Sequence, residues 1–195
     1  MKLYKLTDEN GETYGHTKWG ENVSHTATGT EGLCSSGVIH AYIDPLMAAF
    51  FSPIHGNFKH PHLWEAESED EPVSDGTKVG VKTLTTMRII DLPEITTIQR
   101  VEIAIRCALA VYHNPIFVTW ANNWLSDKNR SAAAAAEAAE AAEAEAAAAA
   151  AWAAAGEAAA AWAAAGEAAA AEAAAWVARA KIDVISIIKK VVCVH

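Results

Sequence analysis

Residues 78–112 read KVGVKTLTTMRIIDLPEITTIQRVEIAIRCALAVY, and within them the hydrophobic period changes. Lys78–Ile90 is rich in Val, Thr and Ile, which suits one or two strands, and Pro93 closes the segment. Thr96 with Gln99 three residues on has the pattern of a capping box. Ile98, Val101, Ile105, Leu109 and Tyr112 follow at helical spacing. Strands therefore precede helices, which is the order of an α+β fold.

Working back, Leu63–Glu67 (LWEAE) reads as a strand and Glu69–Asp75 as a solvated acidic loop. Asp44-Pro45 opens a short helix, with a carboxylate at the N-cap and proline at the first helical position. That helix is expected to end at Ser52-Pro53. Val38–Tyr42 is a strand ahead of it. Leu3–Thr7 alternates apolar and polar, meets the turn Asp8–Gly11, and is expected to pair with a returning strand over Thr13–Trp19. A glycine- and threonine-rich loop fills residues 20–37. Working forward, Asn114-Pro115 starts a helix with Phe117, Val118, Ala121, Trp124 and Leu125 on one face.

From Ser131 the composition shifts, with 35 alanines in the 50 positions 131–180 and the identical repeats AWAAAGEAAA at 151–160 and 161–170. Alanine has the best helix propensity, so a long helix is expected, straight or bent at Gly156 and Gly166. Val184, Ile185, Ile188, Val191 and Val192 then mark a C-terminal amphipathic helix. The expected architecture is a small mixed or antiparallel sheet head with two following helices (1–125), then an alanine-rich helical tail and a C-terminal helix (131–195). The stripe Trp152, Trp162 and Trp176 points to a homo-oligomer assembled through the tail.

The formal charge of −9 divides into −6 over residues 1–100, +1 over 101–131 and −4 over 132–195. No Lys/Arg cluster is present to neutralise a phosphate backbone, which argues against duplex nucleic acid as a partner. Cys34, Cys107 and Cys193 are odd in number and far apart, the pattern of a reducing compartment. The N-terminus turns polar after six residues, unlike a signal peptide, and the longest uncharged run of the tail, 146–156, is too short for a bilayer. A cytoplasmic protein without membrane contact is expected.

YKLTDENGETYG (Tyr4–Gly15), GVIHAYIDPLMAAFFSPIHGNF (Gly37–Phe58) and LWEAE, with an alanine-rich tail carrying spaced tryptophans, resemble a family of uncharacterised phage and prophage proteins. The resemblance implies a phage-encoded protein working in the host cytoplasm. A looser similarity, in strand order alone, is to ADP-ribosyltransferase-like folds, with HxY on a strand, a short helix and a strand carrying ExE. It implies an enzyme using His40, Tyr42, Glu65 and Glu67, although no arginine occurs before Arg88.

Seven of the eight histidines lie before residue 114. His60-x-His62 lacks further ligands at a recognisable spacing, so no metal and no cofactor are expected. The candidate ligand-binding set is Tyr14, His16, Trp19, His25, His40, Tyr42, His55 and Asn57. Tyr14 and His16, like His40 and Tyr42, are two apart and would share a strand face. Rings of this kind stack on a purine, while imidazoles and amides contact ribose and phosphate oxygens. The bland alternative is core packing with polar tips at the rim. The leading expectation is a non-enzymatic head that sequesters a nucleotide-derived, immune-signal-like molecule to counter host defence. The alternatives are the transferase-like enzyme and a structural protein acting through its tail.

Overall fold

The computed structural model describes residues 1–30, 32–33, 35–131 and 182–193. The expected alanine-rich helix, the expected tryptophan stripe and Cys34 lie outside them. The described part is α+β, with antiparallel sheets and four helices, and it divides into two units, Met1–Glu94 and Ile95–His195. The division precedes α2 (Thr97–Leu109) rather than falling near residue 125 as expected, because the helices pack on one another. α2 lies against α3 (Pro115–Leu125) and against the C-terminal α4 (Val184–Val192).

In the first unit, β1 (Lys2–Thr7), β6 (His62–Glu67), β9 (Thr83–Ile90) and β4 (Val23–Thr26) form an antiparallel sheet in the order β1-β6-β9-β4. A second sheet has the order β5 (Ile39–Ala41), β8 (Val79–Val81), β7 (Val73–Ser74). The two meet where the backbones of Tyr4 and Tyr42 exchange hydrogen bonds of 2.8 and 2.9 Å. Leu3, Trp19, Ala41, Ala66, Val79, Val81 and Leu84 form one buried cluster, drawn from both sheets.

Thr13–Trp19 is not the partner of β1. Gly15 has φ 72° and His16 φ 57°, and two successive left-handed residues cannot continue a strand. The chain makes a 3-10 turn at Tyr14–His16 and folds Thr17–Lys18 (β3) back on Glu12–Thr13 (β2). β1 pairs instead with β6, setting Lys5 opposite Trp64 and Leu3 opposite Ala66. The turn at Asp8–Gly11 forms as expected, with the Asp8 carboxylate accepting from Asn10 N at 2.9 Å and Glu12 N at 2.7 Å.

Helix α1 (Pro45–His55) begins where the sequence implies, the Asp44 carboxylate accepting from Leu46 N at 2.9 Å, but it runs through Pro53. Proline there removes only one late hydrogen bond, and the side chains from Leu46 to Ser52 are all buried, which holds the last turn in place. In the second unit the capping box at Thr96 and Gln99 is formed, and Asn114 and Asp183 cap α3 and α4. α4 buries Val184, Ile188 and Val191. α3 buries Phe117, Trp120, Ala121 and Trp124, with Trp120 taking the place expected of Val118 and Leu125. No helix among the described residues is long and apolar enough to cross a membrane.

Leu84 is fully buried on β9, while Ile89 on the same strand is 51% exposed. Leu84→Ala leaves a cavity and is expected to cost about 2–5 kcal/mol in urea unfolding, whereas Ile89→Ala costs less than about 1 kcal/mol. Equal effects would contradict the inward register of β9.

Candidate functional site

β1 places Leu3, Lys5 and Thr7 on one face, and strand alternation turns all three inward. Lys5 is 8% exposed, and among the described residues no carboxylate pairs with it. Its ammonium donates to the His40 carbonyl at 2.8 Å and lies 5.4 Å from the centre of the Trp19 ring. Burial pulls its pKa down to about 8. Loss of water favours the neutral amine, and one carbonyl and one ring face only partly replace that water.

Lys5 borders two adjoining concavities of about 470 and 640 Å³, and Thr13, Tyr14 and His40 border both as well. Each is the size of a small-molecule site. The first lobe continues past Tyr42, His55, Phe58 and Lys78; the second continues past Trp19, His25, Ser35 and Ser36. Lys78 pairs with Asp75 at 3.0 Å. Burial alone would raise the Asp75 pKa, but hydrogen bonds from Thr77 and Lys78 outweigh it and hold the carboxyl well below its usual range.

His40 is half-buried on β5, opposite Gly80 on β8. A Cβ at Gly80 would stand 2.6 Å from Val38 Cγ2, so a side chain there would push Val38 aside. Burial, then the positive charges of Lys5 and Lys78, lower the pKa of His40. The Tyr42 hydroxyl and His55 Nδ1 are 3.1 Å apart, and the His55 ring stacks on Tyr42 and on Phe51. Burial raises the Tyr42 pKa and, with Lys78 next, takes His55 down to about 4.

Of the eight expected ligand-binding residues, Tyr14, Trp19, His25, His40, Tyr42 and His55 border the cleft and His16 and Asn57 do not. Tyr14 stands fully exposed at the junction of the lobes. Trp19 is a wall, 4% exposed, with its indole N–H donating to Thr13 Oγ1 at 2.9 Å and its ring meeting His25 edge-on. His25 Nε2 donates to the Lys18 carbonyl at 2.7 Å. His16 faces solvent beside Glu12 at 3.2 Å; because Tyr14 and His16 sit on a turn, the shared strand face expected of them does not exist. Asn57 has φ 48° and its backbone N–H donates to Ser52 O, so it ends α1.

Glu65 is bound by Lys2 at 2.8 Å and Arg88 at 3.0 Å, and it lies opposite Tyr4, on the face away from Lys5 and Trp64. Glu67 borders a separate acidic hollow with Met1, Glu69 and Asp70. Neither glutamate joins His40 and Tyr42, so nothing in this geometry supports the transferase-like arrangement. Among the described residues no group of three His, Cys, Asp or Glu could hold a metal ion. Sequence reasoning missed Lys5, Lys78 and Thr13, although the alternation of β1 already put Lys5 in register with Leu3.

No protein-family model, curated protein or solved structure matches this chain.

His55 supplies a pH test. In the unfolded chain its imidazole takes a proton near the ordinary value of 6.5, but in the fold only near 4. Between these values the unfolded chain binds more protons, so this stability is complete above about pH 6.5 and is lost as pH falls through 4. NMR titration is expected to keep His55 neutral down to pH 5. His55→Gln should flatten the acid side of the stability profile, with His40 supplying a remaining slope of the same sign.

Proposed function

We propose that the sheet unit binds a small phosphate-bearing molecule, nucleotide-derived in chemistry, in the cleft around Lys5. The observation that carries this reading is a buried ammonium at the junction of two lobes, without a carboxylate partner among the described residues. A buried cation is unfavourable unless paired. An anion seated against Lys5, within reach of Lys78 and the imidazoles of His40 and His55, supplies the pairing.

A ring fits the same cleft, because the fully exposed Tyr14 offers an uncovered aromatic face at its mouth. The Thr13 hydroxyl, which accepts from the Trp19 indole and keeps its own proton to donate, suits a ribose oxygen. The chain as a whole is acidic, at −9, so long-range steering opposes an anion and selectivity rests on local donors. The finer reading, a phage-type protein that holds a nucleotide-derived signal away from a host defence, draws on the sequence resemblance and requires binding without turnover.

Thermal-shift screening of ADP-ribose isomers, cyclic dinucleotides and pyrophosphate, followed by calorimetry, tests this. At least one is expected to stabilise the protein at millimolar concentration. Lys5→Met should then weaken binding about 10- to 100-fold, the scale of a lost hydrogen bond to a charged group. Tyr14→Ala should weaken nucleotides roughly tenfold but leave pyrophosphate and the melting temperature unchanged. If none of these compounds binds, the reading is wrong.

A further inference from the structure

Lys5 differs from the other lysines of the sheet unit. Lys78 is tied to Asp75 at 3.0 Å, Lys2 to Glu65 at 2.8 Å and Lys18 to Glu12 at 3.6 Å, each paired with a carboxylate. Lys82 donates to the Gly29 carbonyl in an exposed position. Lys5 alone among these combines near-complete burial, no carboxylate partner among the described residues and a place beside two ligand-sized lobes. Desolvated lysines in clefts are the ones that act as amine nucleophiles towards carbonyl groups.

We propose that the Lys5 amine is a covalent attachment site, condensing with the aldehyde of a phosphorylated carbonyl compound seated in the cleft. The inference rests on the reading of the cleft as a phosphate site. In this mode the phosphate occupies the lobe of Lys78 and His55, the carbonyl carbon meets Lys5 where the lobes join, and loss of the Lys5 charge on condensation takes the place of pairing by an anion. The Nζ lone pair attacks that carbon, and the C=O π pair moves to oxygen, which takes a proton. The carbinolamine then loses this oxygen as water while Nζ gives up its remaining proton, leaving a C=N bond. No oxidant or reductant is needed. His40 borders both lobes and is held towards its neutral form, so it can take the proton from nitrogen and return it to the departing oxygen. With the amine pKa near 8, roughly a tenth of Lys5 is unprotonated at pH 7, far more than for a solvated lysine.

The test treats the full chain with pyridoxal 5′-phosphate, or with pyridoxal lacking the phosphate, then reduces with borohydride and maps the modified lysines by mass spectrometry. The phosphorylated aldehyde is expected to label Lys5 first, at least tenfold faster than pyridoxal, with a rate that rises through pH 8. Pyrophosphate should compete, and Lys5→Met, checked for fold by circular dichroism, should lose the fast phase. Labelling spread evenly over Lys2, Lys18, Lys59 and Lys82, with Lys5 unmodified, overturns the proposal. Calorimetry with pyrophosphate separates the two claims: binding without Lys5 labelling overturns only the covalent step, and absence of both overturns the phosphate site as well.

Discussion

A lysine in register with leucine on an inward strand face must place its ammonium somewhere other than water. Lys5 places it on the His40 carbonyl, and that contact, with the Tyr4–Tyr42 backbone exchange, ties β1 to β5 and so one sheet to the other. The cleft is what remains on either side of this tie. Its electrostatics follow from the same placement. Burial first, then the positive charges of Lys5 and Lys78, lower the pKa of His40, and burial first, then Lys78, lowers that of His55. The result is an aromatic hollow with the Lys5 ammonium and the Lys78–Asp75 pair set into it.

Elements governed by local chemistry were legible in the sequence. The capping box at Thr96, the Asp44-Pro45 and Asn114-Pro115 helix starts, the strand LWEAE and the amphipathic pattern after Asp183 all describe interactions within a few residues. The failures are long-range. Nothing near Leu3–Thr7 says that it pairs with His62–Glu67, some sixty residues on, and a hairpin with Thr13–Trp19 was the cheaper local guess. The left-handed pair at Gly15 and His16 decides against that guess, and histidine gives little warning of a positive φ. In the same way, α2 packs against α4, some seventy or more residues on in the sequence, which no local pattern encodes.

The candidate site was legible in its rings and illegible in its charges. Tyr14, His25, His40, Tyr42 and His55 attract notice as residue types, and the fold gathers them, although Trp19 serves as a wall. Glu65 and Glu67 attract notice for the same reason, yet alternation along β6 and the Lys2 and Arg88 ammonium and guanidinium groups give Glu65 an ion-pairing role. Lys5 looked like an ordinary solvated strand residue. Its parity with Leu3 was the available signal, and the meaning of that parity emerges only once β6 covers one side and β5 the other.

The titration of Lys5 itself tests most directly whether it is a desolvated amine that takes an anion. NMR of side-chain-labelled lysine should show Lys5 titrating near pH 8 in the free protein. Saturating pyrophosphate should raise that value by one unit or more, because a bound anion stabilises the ammonium. A Lys5 that titrates near the ordinary lysine value of 10.5, unmoved by pyrophosphate, would contradict a desolvated, anion-binding amine.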